Sequence, residues 1–258
     1  MNGSILVTGS ADGLGLAAAR ELVADGYAVI GHARNSARAA QLRAQVPDLD
    51  DVVIADFAAL DEVRAMAATL ADRGALQAII HNAGVGYRER CRIETVDGHA
   101  HVLQVNVLAP YLLTALLPKT QRLVWLSSGL HRDGDASVDD IDWAHRAWNG
   151  FQAYADSKLF DATLAMALAR RWAQVLSNAV EPGWVPTRMG GPGAPDDLTL
   201  GHVTQAWLAG AVDLEAQCSG DYYFHMEAAP AHYAIRDHEF QNELLDACAR
   251  LTGVCLPD

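Results

Sequence analysis

Ser4-Ile5-Leu6-Val7-Thr8-Gly9-Ser10-Ala11-Asp12-Gly13-Leu14-Gly15 starts as a short apolar run, breaks at Gly9 and resumes as the Ala/Leu-rich stretch Leu16-Ala17-Ala18-Ala19-Arg20-Glu21-Leu22. Such an order predicts a strand, a tight turn and a helix. Glycines at 9, 13 and 15 meet three needs of that turn. They bend the chain sharply, let backbone N–H groups approach a pyrophosphate, and allow a helix to pack closely on a strand. The helix N-terminus adds partial positive charge. Glycines near a helix start are by themselves a weak signal, and their place after the first strand strengthens it.

Outward from this turn the pattern repeats. Short β-rich runs at Ser4–Thr8, Tyr27–Gly31, Val52–Ala55, Leu76–His81, Gln121–Ser127, Ser177–Glu181 and Asp221–Phe224 alternate with helical stretches at Leu14–Asp25, Ala37–Gln45, Leu60–Arg73, Asp97–Leu117, Ala153–Trp172, Leu200–Leu214 and Asp237–Leu251. Most of the strand runs are apolar without alternation, as expected when helices cover both faces of a parallel sheet. Right-handed crossovers then predict an α/β, doubly wound, predominantly parallel seven-stranded sheet, formed by residues 1–258 as one domain. The stretch His101–Leu117 is apolar on nearly every side. Its second face is covered either by a partner subunit, giving a dimer or tetramer, or by a neighbouring helix of the same chain. Leu130–Gln152 and Arg188–Thr199 interrupt the alternation after strand ends, where an open α/β sheet holds its ligand, so both are candidate pocket walls. The aromatic residues Trp143, Trp148, Phe151 and Trp184 on or beside them suggest an apolar, ring-containing ligand.

Composition excludes several classes. The formal charge of -13, with lysine only at Lys119 and Lys158, lacks the basic footprint that a nucleic-acid backbone requires. No apolar run reaches the roughly 18 residues of a membrane span, and strand-like residues begin too early for a signal peptide, so a cytoplasmic protein without a membrane partner is expected. Cys91, Cys218, Cys248 and Cys255 form no close pair and read as reduced thiols. The ten scattered histidines lack zinc spacing, and no metal is expected.

The chemistry-bearing residues fall at strand ends and on helices. Tyr154-Ala155-Asp156-Ser157-Lys158 places a phenol and an ammonium one helical turn apart. A neighbouring ammonium favours the phenolate, and lowering a tyrosine by about three pKa units would take about 4 kcal/mol. Leu123-Val124-Trp125-Leu126-Ser127-Ser128 is a strand ending in hydroxyls, and Asn106 is a lone amide in an apolar helix, costly unless hydrogen-bonded.

Together with the glycine turn, these motifs resemble the short-chain dehydrogenase/reductase family, and the resemblance covers almost the whole chain. It implies a Rossmann-type fold and hydride transfer between NADP(H) or NAD(H) and a small carbonyl or alcohol substrate. Tyr154 would handle the proton, Ser128 would hold the substrate oxygen, Lys158 would support the phenolate, and Asn106 would anchor a water that relays protons to Lys158. The implied cofactor residues are Gly9, Ser10, Asp12, Gly13, Leu14 and Gly15 in the turn, Asp56 and Phe57 after the third strand, and Asn82, Ala83 and Gly84 after the fourth. Tyr154 and Lys158 join them, with Pro182, Gly183, Val185 and Thr187 in the segment after the sixth strand. Arg34 and Asn35 follow the second strand, where a guanidinium in place of a carboxylate favours the 2′-phosphate of NADP(H), leaving NAD(H) as the second choice. Tyr154 follows Ser128 by 26 positions, longer than is usual in the family, which fits an inserted pocket segment. The alternative is a dinucleotide-binding sensor or scaffold that kept the fold without catalysis.

Overall fold

The computed structural model describes residues 3–213 and 215–258. Seven strands run parallel: β1 (Ser4–Val7), β2 (Ala28–Ala33), β3 (Asp51–Ile54), β4 (Ala78–His81), β5 (Arg122–Leu126), β6 (Leu176–Glu181) and β7 (Tyr222–Phe224). Their order in the sheet is β3-β2-β1-β4-β5-β6-β7, closed by β8 (Glu227–Ala228), which is antiparallel to β7. The chain winds outward from β1 in one direction and then from β4 in the other, so the β1/β4 boundary is the switch point where a crevice opens at the carboxyl ends.

Alternate residues of each buried strand feed opposite layers. Leu6, Ile30 and Ile79 pack with α3 (Leu60–Ala71), the helical run over 101–116, α6 (Gly150–Arg171) and α8 (His238–Thr252). Ile5, Val7, Val29 and Ile80 pack instead with α1 (Gly13–Ala24) and α7 (Val203–Gly210). Period-two side chains on strands apolar throughout therefore serve two cores at once. Truncating a core residue such as Leu112, fully buried, would cost about 2–5 kcal/mol.

The predicted seven strands are present, and the short eighth is an addition. His225 and Met226 join β7 to β8 with φ of 49° and 66°. Two left-handed residues make the tight hairpin turn that Asn-Gly usually signals, which is why His-Met did not announce it. The helix expected over Asp97–Leu117 starts later, at His101, because Asp97 ends in a turn and turns its side chain to the Leu60 N–H at 2.9 Å. It consists of α4 (His101–Leu103), a wider π turn (Gln104–Leu108) and α5 (Ala109–Leu116). Pro110 has no N–H to offer the Asn106 carbonyl, a physical reason for the wide turn just before it.

The second face of this helical run is covered within the chain by α3, α6 and α8, and Tyr111 donates to the Val254 carbonyl at 3.0 Å. Of the two covers left open by the sequence, the intrachain one is realised. The helix expected over Leu200–Leu214 is limited to Val203–Gly210, and Leu214 lies outside the described residues. Its end is fixed by Arg122, whose buried guanidinium donates to the carbonyls of Leu208, Ala211 and Ala216 at 2.9 Å each. A cation at a helix C-terminus satisfies carbonyls that have lost their helical donors. Among the described residues no helix is long and apolar enough to cross a membrane.

Candidate active site

At the carboxyl edge of β1, Gly9 adopts φ +65°, and a Cβ there would lie 2.8 Å from the Ala83 Cα. Only glycine meets both conditions. Gly13, φ +53°, begins α1, and Gly15 is packed against the Asn82 side chain and the Gly9 carbonyl. Asn82 ties the strands together by donating to the Thr8 carbonyl at 2.8 Å, while the Thr8 hydroxyl accepts from the Asn82 and Ala83 N–H groups at 3.0 Å. Asp12 caps α1, accepting from the Gly13 N–H at 2.9 Å.

The turn has a prop that sequence reasoning missed. His32 is buried, accepts from the Gly9 N–H at 2.9 Å through Nδ1, and reaches the Ala55 carbonyl at 2.8 Å through Nε2. Those partners require the neutral Nε2–H tautomer, and burial pushes the imidazole down to about 4. Its ring stacks on Phe57 at 4.4 Å. A histidine inside an apolar strand was the available signal. Ser10 faces away from the crevice, its hydroxyl accepting from the His32 N–H at 2.9 Å.

A cavity of about 650 Å³ runs along this edge. Gly9, Asp12, Gly13, Leu14, Arg34, Asp56, Phe57, Asn82, Ala83, Gly84, Tyr154, Lys158, Pro182 and Thr187 all line it. Other expected residues stand behind the lining. Gly15 and Ser10 shape the turn, Asn35 caps α2 (Ser36–Gln45) by accepting from the Arg38 N–H at 3.0 Å, Gly183 turns the chain with φ +82°, and Val185 is buried. Arg38, in the first turn of α2, is a second cation at the cavity and pairs with Asp12 at 3.1 Å. Its place in the first turn of the helix that opens beside Arg34 was the available signal.

Tyr154 and Lys158 share the inner face of α6, with the Lys158 Nζ 5.8 Å from the phenol ring centroid. Lys158 donates to the Leu126 carbonyl and to Asp161, each at 2.8 Å. Burial is the largest influence on the Tyr154 pKa and raises it; Lys158 and a hydrogen bond from Ser128 act to lower it without prevailing, so the phenol is held above its ordinary value. Of the serine pair, Ser127 is buried and donates to the Lys158 carbonyl at 2.7 Å, while Ser128 is half-buried and accepts from the Leu130 N–H at 3.3 Å.

Asn106, in the π turn, is fully engaged. Its Oδ1 accepts from the Val85 N–H at 2.8 Å, and its Nδ2 donates to the Val85 carbonyl at 3.1 Å and to Ser157 Oγ at 2.9 Å. It fastens the backbone just after Gly84, where a Cβ would come within 3.3 Å of Asn106 Oδ1 and 3.6 Å of Lys158 Nζ.

The outer part of the cavity is lined by Val85, Gly86, Tyr87, Arg88, Glu89 and His101, with Met189 across from them. Sequence reasoning missed these, although residues following a strand-end Asn-Ala-Gly are placed at the ligand edge. Glu89 pairs with His101 at 2.6 Å, so this end is not wholly apolar. Arg188–Thr199 does contribute a wall: Met189 Sδ lies 3.7 Å from the Tyr154 hydroxyl. Leu130–Gln152 contributes none. Trp143 is buried in the core, Trp148 donates to the Glu89 carbonyl at 2.9 Å from behind, Phe151 packs edge-on to Tyr87, and Trp184 is exposed. The inserted segment thus supports the wall instead of forming it. Its Asp140 accepts from the N–H groups of Ala144, His145 and Arg146, and Arg146 stacks 3.6 Å over Trp143.

The glycine-lined edge, the guanidinium of Arg34 and the Tyr154–Lys158 pair at one cavity suit a nicotinamide dinucleotide. Comparison with known proteins agrees. The short chain dehydrogenase family model matches residues 4–131. Short-chain dehydrogenase chry4 of Gibberella zeae is 37% identical over 98% of this chain and 98% of its own. Retinol dehydrogenase 13 of Homo sapiens is 31% identical over 98% of this chain and 86% of its own. Among solved structures, an NADPH-bound carbonyl reductase from chicken fatty liver superposes with a TM-score of 0.62 at 22% identity, over 89% of this chain and 99% of its own. The chain belongs to the short-chain dehydrogenase family and is an NAD(P)-dependent oxidoreductase.

Proposed function

We propose that this enzyme is a cytoplasmic NADPH-dependent reductase of ketones or aldehydes, running the reverse oxidation through the same groups. The observation that carries the reading is one cavity lined by the glycine turn, Arg34, Tyr154 and Lys158 together. When bound, the reduced nicotinamide supplies the hydride.

The chain's own residues do the rest. Ser128 and the Tyr154 hydroxyl hold the carbonyl oxygen, and Tyr154 delivers its proton as the oxygen gains charge. A phenol kept protonated by burial is in the right form to donate. Lys158 steadies the phenolate that remains. Asn106 fixes the backbone at Val85, and the nicotinamide carboxamide is assigned to Val185 and Thr187. On the adenosine side, Asp56 accepts from the adenine amino group, while Arg34 and Arg38 take the 2′-phosphate. Arg34 supports the choice of NADP(H), because among the described residues no carboxylate pairs with it.

The test is NADPH consumption against chemically diverse aldehydes and ketones, alongside the Arg34→Asp variant. The expected result is turnover of at least one carbonyl, with the NADPH-over-NADH preference falling roughly tenfold or more in the variant, the worth of a charge-assisted contact. Tight NADPH binding with no carbonyl reduced would favour the sensor reading, and an unchanged preference would remove Arg34 from the 2′-phosphate.

A further inference from the structure

Asp161 lies less than one turn beyond Lys158 on α6, and the two side chains are 4% and 6% exposed. Its Oδ2 accepts from the ammonium at 2.8 Å, and its Oδ1 has no hydrogen-bond partner among the described residues. The ammonium's other acceptor is the neutral Leu126 carbonyl. A lysine so deeply buried is pulled toward its neutral form unless an anion compensates. We propose that Asp161 is a positioning residue of the reaction, the buried counter-ion that keeps Lys158 charged and aimed at the crevice, and so acts on Tyr154 through Lys158. This rests on the catalytic role given to Tyr154 and Lys158 above.

Two effects of the carboxylate oppose one another. Its charge disfavours the phenolate directly, and it preserves the cation that favours the phenolate. The second is larger, because the lysine touches Asp161 whereas the phenol is farther away, and an uncompensated buried lysine can fall by about 3–5 pKa units. Burial also raises Asp161 itself, to about 6, with Lys158 opposing. Among the described residues Lys158 is the cation paired with Asp161, and Arg250 of α8 acts on the neighbouring Cys248. From α8 Asp161 meets the Cys248 thiol, which burial and then Asp161 hold protonated. On the 129–133 turn, His131 is acted on by Arg132, Asp133 and His232, and Arg236 of the 233–236 turn pairs with Asp221. Asn106, from the π turn, is neutral.

The chain has only two lysines, so 13C labelling at lysine Cε gives two resonances, assigned with Lys119→Arg. In the wild type, Lys158 is expected to titrate above an ordinary lysine, and in Asp161→Asn at least about one unit lower than in the wild type. Equal midpoints in the two proteins would overturn the proposal. Should Asp161→Asn fail to fold, the wild type decides alone, since a Lys158 midpoint below that of an ordinary lysine refutes it. With any alcohol the enzyme oxidises, the variant should lose activity at alkaline pH by about tenfold where the wild type does not, and superimposable pH profiles would contradict the role. If no variant turns over any carbonyl or alcohol, the reaction assigned above fails, and the two resonances still decide the ion pair.

Discussion

Backbone shapes the β1–β4 end of the crevice, and side chains shape the end beyond β4. At the first, Gly9 admits no Cβ, Asn82 and Thr8 lock neighbouring strands, and a neutral His32 holds the turn from below. At the second, Tyr154 and Lys158 project from α6, while the outer wall of Tyr87, Arg88 and Glu89 hangs on contacts to distant segments. A pyrophosphate can be bound by any backbone that presents N–H groups, so its site is a matter of local conformation. A particular carbonyl compound must be recognised by particular side chains, so that wall carries the individuality of the enzyme.

The sharpest way to separate the two ends is Tyr154→Phe. Turnover should fall by roughly 10²–10⁴-fold, the contribution of a general acid, while NADPH affinity measured by fluorescence stays within a few-fold. Loss of NADPH binding in that variant would mean the ends are not separable.

Acid probes the core beneath both ends. Burial holds His32 and His131 down to about 4 and His81 to about 3, so the unfolded chain, with ordinary histidines near 6.5, takes up protons first. The contribution of these three histidines is therefore complete above pH of about 6.5 and declines as pH falls toward about 4, by up to about 1.4 kcal/mol per unit each, with the raised Asp161 and His99 opposing in part. Thermal melts between those pH values should show the fall, and His81→Asn should make it shallower. A flat melting temperature would mean these imidazoles are not held neutral.

The smallest effect is expected at the outer wall. Trp148→Phe removes the hydrogen bond to the Glu89 carbonyl and little else, a loss of about 1 kcal/mol. KM for the carbonyl should rise about fivefold with NADPH affinity unchanged. A change in NADPH affinity instead would place the inserted segment with the nucleotide end.

The same division governs how much could be read in advance. Parallel strands buried on both faces leave unbroken apolar runs, and a glycine turn at the first strand end fixes the topology, so the seven parallel strands and the order of the motifs were legible. Asp12, Arg34, Tyr154 and Lys158 were likewise legible as crevice residues, because their places follow from strand ends and helical spacing. Three things were not. His32 and Asp161 matter through burial and partners far from their own local pattern. Trp143 and Trp148 looked like pocket residues because a loop rich in aromatics looks exposed, and in the structure the segment packs against the main core. The burial that raises the Tyr154 pKa was not legible either, because adjacency to Lys158 is visible in sequence, whereas desolvation is not.

The central claim is that the crevice brings a nicotinamide and a carbonyl carbon together on one fixed face. NADPH carrying deuterium at one or the other position of nicotinamide C4, incubated with the best carbonyl substrate, tests it directly. Mass spectrometry should find deuterium on the product carbinol carbon from one isotopomer and not from the other. Label arriving from neither, or equally from both, would contradict the account.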